Sequence, residues 1–432
     1  MATSTGQLSD EKVKRLFFLE IRWALGGGMV FNAYLARRLF ELENLTPVGL
    51  SIDPVDPTDT ANFLKGLVDF PIYAPLKQRF TRRRFLHDAY AVIRQQMPER
   101  IIFTVNSKTC ELVRHLPEHV VRIGVVHAVD FDNVALAACY SKHLDAIVCV
   151  SQMGLDMLNG MSPPPLCPCY FIPPGILLPE APLKRESTGT LPLRLLYLGR
   201  LAEEAKRARS IVGIATALRE LEVPFQWNIA GSGPEAEFVA QAVDELKIEE
   251  VVLIGNVSHH NVPELFSKHD VIVSTSDREA FPLALQEAMA FGLVPVAGNA
   301  PGRVSDIVPA AGGFLVNVNN PSEFAQAISV LHGDRELLAR LSEQASQAIS
   351  KDLGWDCIAE RWQTLLDSPA LQAREGKVWP RRLSVLPCLD KALPDRLMFI
   401  QSIAESIASL FELFIDGYIR RLRRIYYRFK KS

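Results

Sequence analysis

Asp277-Arg-Glu-Ala-Phe-Pro-Leu-Ala-Leu-Gln-Glu-Ala-Met-Ala290 lies between two short apolar runs, residues 270–275 and 293–297. Both runs read as strands, and residues 282–291 are apolar at helical spacing until Gly292 ends them, so the stretch reads strand, loop, helix, strand. Glu279 then falls on the loop and Glu287 on the helix, about 1.5 turns further in. The N–H groups of a helix start form an anion site, and two carboxylates beside it accept hydrogen bonds from sugar hydroxyls. Phosphate plus hydroxyls suggests a nucleotide sugar. A Glu pair at this spacing is by itself also an ordinary solvated helix flank, so its company in the chain decides the reading.

Working outward, β-rich apolar runs at 193–198, 225–230, 251–254, 271–274, 293–297 and 314–316 alternate with helical stretches. A first array, with runs at 15–21, 47–52, 100–105, 120–126, 146–150 and 169–172 and helices such as 31–42, precedes it. Continuous apolar strands joined by helices are what a parallel sheet covered on both faces requires. The fold class is therefore α/β, with two doubly wound domains facing a cleft. The expected division is an acceptor domain over 1–177, a Pro-rich connection, a nucleotide-sugar domain over 190–367, a linker over 368–394 and a helical tail over 395–432.

Glu279-x7-Glu287, followed by Ala-Met-Ala-x-Gly and Val294-Pro-Val-Ala297, resembles the signature of the retaining glycosyltransferases of family 4, which have the GT-B fold of two Rossmann-like domains. Leu195-Leu-Tyr-Leu-Gly-Arg-Leu201 with Lys206 resembles the family's strand-Gly-Arg…Lys element, and Ile229-Ala-Gly-Ser-Gly-Pro-Glu235 its second Gly-rich turn. Phe171-Ile-Pro-Pro-Gly-Ile176 resembles its hinge, Asp145-Ala-Ile-Val-Cys-Val-Ser151 the strand before that, and residues 355–367 the closing helix that crosses back onto the first domain. The likeness covers residues 120–365, and each element follows an apolar strand at its carboxyl end, where open α/β sheets bind ligands.

The resemblance implies roles residue by residue. Glu279, His127, Arg200 and Lys206 are the expected catalytic groups. Gly27, Gly28, Gly199, Arg200, Lys206, Gly231, Gly233, Phe281, Pro282, Leu283 and Glu287 are expected to bind the donor. Arg200 and Lys206 neutralise the diphosphate, Glu287 holds the ribose, and Glu279 with the N–H groups of Phe281 and Leu283 grips the sugar and the distal phosphate. Gly26-Gly-Gly28 follows the first strand as a loop that a ligand can approach closely, or is a plain tight turn. Asp130-Phe-Asp132 resembles a metal-binding pair of the other large glycosyltransferase fold. With two fixed cations already facing the phosphates it reads instead as capping or turn residues, and no metal and no cofactor beyond the donor substrate is expected. The pattern departs from the family at Ser274-Thr-Ser276, in the six-residue step from Arg200 to Lys206, and at Asp306. Other GT-B enzymes, a phosphorylase or an epimerase, and a non-catalytic nucleotide-sugar-binding or scaffolding protein are the alternatives.

The composition fits a folded protein of two domains. The 432 residues carry 47 Lys and Arg against 49 Asp and Glu, and 48% of them are hydrophobic. That balance gives no basic excess for nucleic acid. The first fifteen residues lack an apolar signal core, and the seven dispersed cysteines show no Cys-x-x-Cys or metal spacing. A cytoplasmic protein with reduced thiols is expected. The tail places apolar residues at helical spacing from Ile400 to Phe429, with seven Arg and Lys and no acid after Gly417. Such a helix suits the inner, anionic face of a membrane, or else packs on its own protein or pairs two subunits. A second basic cluster, Lys77-Gln-Arg-Phe-Thr-Arg-Arg-Arg84, sits in the domain that takes a glycan or lipid-linked acceptor. Sugar, base, linkage and oligomeric state have no signal in the sequence.

Overall fold

The computed structural model describes residues 15–20, 27–43, 46–51, 72–73, 82–127, 129–180, 192–279, 281–300, 304–310, 312–349 and 351–371. Gly26, the tail over 395–432, most of its linker, and the side chains of the basic cluster at 77–84 lie outside them.

Two all-parallel sheets organise the chain. The first contains β1 (Arg15–Glu20), β2 (Thr46–Ser51), β3 (Ile72–Tyr73), β4 (Arg100–Thr104), β5 (Val121–Val126), β6 (Ala146–Cys149) and β7 (Cys169–Phe171), in the order β3-β2-β1-β4-β5-β6-β7. The second contains β8 (Leu193–Leu198), β9 (Phe225–Ala230), β10 (Val251–Gly255), β11 (Val271–Ser274), β12 (Val294–Gly298) and β13 (Phe314–Val316), in the order β10-β9-β8-β11-β12-β13. Strand order reverses between β1 and β4 in one sheet and between β8 and β11 in the other. Those switch points open a crevice at the strands' carboxyl ends.

The central strands β4, β5, β6 and β12 are buried on both faces, while edge strand β10 exposes Val252 and Ile254, and the pleat sorts the side chains. Val121, Ile123 and Val125 join one core cluster, while Ile101, Phe103, Ile147 and Cys149 join the cluster on the opposite face of the same sheet. In the second sheet Leu195, Tyr197, Trp227, Ile229, Val271 and Val273 face one cluster. Leu196, Ala230 and Ile272 face the cluster shared with the first domain. That period of two, with both phases apolar, gives the continuous runs in the sequence.

The structure corrects two expectations. β3 was not anticipated: it is two residues paired with Gly49 and Leu50, too short to leave an apolar run. The first helix spans Gly27–Glu43, so Gly27 and Gly28 belong to its first turn and not to a loop. Their low helix propensity hides that start from sequence.

The chain leaves the first sheet through residues 172–177. Ile176 N–H donates to Leu353 O at 2.9 Å and pairs with Gly354, which docks the start of helix Trp355–Leu366 on this connection. Gly175 lies so close to the Trp355 ring that a Cβ would come within 2.3 Å of it. The same helix then packs on helix Gly27–Glu43, where Arg38 pairs with Asp356 at 3.3 Å.

Candidate active site

A cleft of about 640 Å³ runs between the carboxyl ends of the two sheets. Its floor in the second domain is built from two loops that lock together. Gly199 N–H donates to Ala230 O at 3.0 Å, and Leu201 N–H donates to Ser232 O at 2.8 Å. Gly231 and Gly233 have φ of 137° and 156°, and a Cβ on them would meet Gly199 O at 1.9 Å and Leu201 O at 2.2 Å. Only glycine allows that approach. The buried Tyr197 hydroxyl donates to Arg200 O at 3.1 Å and so fixes the turn that carries Arg200. The Arg200 side chain is exposed toward the cleft and makes no ion pair among the described residues.

Lys206 is held by a loop with two left-handed residues, Ala205 at φ 64° and Arg207 at φ 47°. Such backbone costs on the order of 1 kcal/mol or more per residue and persists where neighbours hold it. The neighbours come from the loop after β11: Thr275 Oγ1 donates to Lys206 O at 2.7 Å, and Asp277 N–H to Ala205 O at 3.0 Å. Lys206 Nζ forms an ion pair with Glu279 Oε1, which also accepts from Ser276 Oγ at 2.8 Å. The cation and the carboxylate assigned to phosphate and sugar therefore pair with each other.

Helix Leu283–Ala290 starts on Pro282, whose φ of −77° and ψ of 79° form an inverse γ-turn. Leu283 N–H donates to Phe281 O at 2.9 Å, so it does not face a ligand as the sequence reading expected. The N–H groups of Ala284 and Leu285, both lining the cleft, have no acceptor among the described residues. One turn on, Glu287 is 5% exposed and accepts from Leu177 N–H at 3.1 Å. Burial raises its carboxyl to about 7 from the ordinary 4.5, and the Leu177 bond offsets part of that rise.

The opposite wall comes from the first domain. Gly28 lies against the His127 ring, 3.6 Å from a Cβ built on it, and Phe31 packs edge-on to that ring at 5.1 Å. His127 follows β5, and burial lowers it to about 4, so it is neutral at pH 7. His127 Nε2 and Trp355 Nε1 are buried without a hydrogen-bond partner among the described residues, and both side chains line the cleft. Orphaned atoms of this kind are uncommon and mark places that a ligand group or water completes. Asp130 caps helix Phe131–Tyr140, accepting from Asn133 N–H at 2.9 Å and Asn133 Nδ2 at 2.8 Å.

The cleft thus gathers Gly28, His127, Gly199, Arg200, Lys206, Gly231, Gly233, Glu279, Phe281, Pro282, Leu283 and Glu287. Sequence reading missed Tyr34, Tyr197, His259, Ser276 and Trp355. Ser276 had a signal, since it stands three residues before Glu279 in a polar loop after a strand.

Comparison with known proteins agrees with this architecture. Residues 184–348 match the family model Glycosyl transferases group 1. The N-acetyl-alpha-D-glucosaminyl L-malate synthase of Bacillus anthracis is 30% identical over 177 residues, 40% of this chain and 45% of that protein. The putative colanic acid biosynthesis glycosyltransferase WcaL of Escherichia coli K12 is 27% identical over 230 residues, 51% of each. The matches thus span about half the length of these curated relatives. Among solved structures, sucrose-phosphate synthase from Thermosynechococcus elongatus superposes with a TM-score of 0.66 at 16% identity, over 82% of this chain and 98% of that one. An S. aureus TarM variant in complex with UDP and other ligands gives 0.67 at 13%, over 82% and 100%. Anabaena Alr3699/HepE in complex with UDP-glucose gives 0.63 at 16%, over 82% and 99%. The protein has the GT-B fold, and its second domain is similar in sequence to the glycosyl transferases of group 1.

Proposed function

We propose that the protein is a retaining, metal-independent glycosyltransferase of family 4 that moves a sugar from a nucleotide diphosphate to a glycan or lipid-linked acceptor in cell-surface polysaccharide or glycolipid synthesis. The observation that carries this reading is the convergence of Arg200, Lys206, Glu279 and Glu287 on one cleft at a strand-order switch point. A phosphate chain needs cations and N–H donors; Arg200 and Lys206 supply the first, and Ala284 and Leu285, whose N–H groups have no acceptor among the described residues, the second. Ribose and sugar hydroxyls need acceptors, which Glu287 and Glu279 supply.

As the bond from the anomeric carbon to phosphate breaks, negative charge grows on the diphosphate. Arg200 meets it directly; Lys206 does so by turning from Glu279, which frees that carboxylate for a sugar hydroxyl. Fixed cations that meet charge as it develops lower the barrier. Neutral His127 can hydrogen-bond the sugar without competing for those cations. The solved relatives with UDP and UDP-glucose make uridine diphosphate sugars the first donors to test. The tail over 395–432 is proposed to hold the protein on an anionic membrane surface. Ending the chain at Pro394 should abolish co-sedimentation with anionic vesicles while donor binding persists.

The deciding experiment is a thermal-shift screen with UDP-, GDP-, ADP- and TDP-sugars, followed by detection of the glycoside made from the stabilising donor. A donor at 100 times its dissociation constant adds about 2.7 kcal/mol of stability. Stabilisation by none of them, or a sugar phosphate or an epimer as product, overturns the reading.

A further inference from the structure

Tyr34 and His259 meet across the cleft although they stand 225 positions apart: Tyr34 Oη and His259 Nδ1 are 2.6 Å apart. Tyr34 belongs to helix Gly27–Glu43 of the first domain. His259 follows Asn256-Val-Ser258, the segment after β10 in the second.

Further contacts fix this meeting point. The Tyr34 ring stacks on Trp355 at 4.9 Å and 13°, and meets His259 edge-on at 4.9 Å. Trp355 in turn covers Gly175 of the connection between the domains. Phe31, three residues before Tyr34 on the same helix, touches both His127 and Trp355. Gly28, Phe31 and Tyr34 therefore form one stripe at i, i+3 and i+6, and Gly28 and Phe31 line the cleft. Whatever sets the position of Tyr34 also sets where Gly28 and His127 stand relative to Lys206 and Glu279.

We propose that the Tyr34–His259 hydrogen bond is a closure latch: it registers the first domain against the donor-holding loops of the second, and both residues are positioning residues for transfer. The bond joins neutral partners. Burial lowers His259 to about 4 and raises the Tyr34 hydroxyl above its ordinary range, where nearby Glu287 also raises it and Arg37 and Arg38 lower it. A neutral bond can break and re-form with domain motion without exposing a bare charge in the cleft. One such bond contributes about 0.5–1.5 kcal/mol net, enough to shift a two-state opening equilibrium by roughly 2- to 12-fold. The kinetic consequence rests on the sugar-transfer reading; the effect on domain closure does not.

The test uses the full chain as wild type, Tyr34→Phe, His259→Leu and His259→Asn, each checked for native circular dichroism. Tyr34→Phe keeps the ring stack and loses the hydroxyl, while Asn keeps an acceptor near the place of Nδ1. Small-angle X-ray scattering without ligand should show a larger radius of gyration for Tyr34→Phe and His259→Leu, and a near-wild-type one for His259→Asn. With the donor found by the screen, kcat should fall roughly 2- to 12-fold in the first two variants and recover most of the way in the third. UDP affinity should change much less than kcat. The double variant Tyr34→Phe/His259→Leu should be no worse than the poorer single one. Unchanged scattering and kcat in Tyr34→Phe would overturn the latch, as would an equal loss of UDP affinity and kcat. Absence of UDP binding by the wild type would count against uridine diphosphate as the nucleotide, and the scattering would still decide the latch.

Discussion

Glu287 Oε1 accepts a hydrogen bond from Leu177 N–H at 3.1 Å, so the carboxyl group on helix Leu283–Ala290 is tied to the backbone that joins the two domains. The bond leaves the second carboxylate oxygen to a ligand and couples the ribose site proposed here to the connection.

That carboxyl group should set part of the pH dependence of stability. Its pKa is raised from 4.5 to about 7 by burial, so the folded protein holds the proton more tightly than the unfolded chain does. Stability from this group is fully present below about pH 4.5 and is lost as pH rises through about 7. At ~1.4 kcal/mol per unit the loss is on the order of 3 kcal/mol. Glu287→Gln stays neutral throughout, so urea denaturation at pH 4.5, 6 and 7.5 should show the wild type losing more stability than the variant. Parallel curves would place the charge of Glu287 elsewhere. Nucleotide affinity should move the opposite way, rising with pH as the carboxylate becomes an acceptor for ribose.

The glycines at the cleft floor should separate steric from conformational cost. Gly231→Ala and Gly233→Ala drive a methyl group into Gly199 O and Leu201 O, on backbone with positive φ. Gly255→Ala adds a methyl at φ 71° with nothing within 4 Å, so it costs only the left-handed backbone, about 1 kcal/mol. Thermal melts should show the first two losing at least 2 kcal/mol more than the third, with UDP binding lost alongside. Equal losses at all three positions would mean that the two loops can part without consequence.

The same geometry shows what the sequence could and could not convey. β8 and β9 were legible to the residue because β-rich apolar positions dominate them although Arg194, Gln226 and Asn228 interrupt the runs, whereas Ile72–Tyr73 left no run at all. Glu279 and Glu287 were legible because strand, loop and helix are local. The Lys206–Glu279 pair joins residues 73 positions apart, and Tyr34 meets His259 over 225, so no local pattern carries either. The reversed Leu283 N–H depends on ψ of Pro282, which proline does not fix.

Arg200 and Lys206 should replace a metal on the diphosphate. Loss of one charged contact costs about 1.5–3 kcal/mol, so Arg200→Ala should weaken UDP binding roughly 10- to 150-fold. The double variant with Lys206→Ala should abolish transfer, while wild-type transfer should survive EDTA. Activity lost in EDTA and restored by magnesium or manganese would overturn the metal-free reading.

Ser276 should act on turnover through Glu279. Its hydroxyl donates to the carboxylate oxygen that Lys206 also holds, and Ser276 is 5% exposed, so the bond forms in a partly dry pocket. When donor phosphate draws Lys206 away, Ser276 remains the fixed partner that aims Glu279 at the sugar. Ser276→Ala should leave UDP affinity within about threefold of wild type, because UDP lacks the sugar, and lower kcat about 5- to 10-fold, the effect of one hydrogen bond near 1 kcal/mol. Ser276→Thr keeps the hydroxyl and should recover most of that loss. Isothermal titration with UDP beside steady-state kinetics with the UDP-sugar separates the two effects. A drop in UDP affinity as large as the drop in kcat would instead make Ser276 part of the phosphate site, with Glu279 oriented by Lys206 alone.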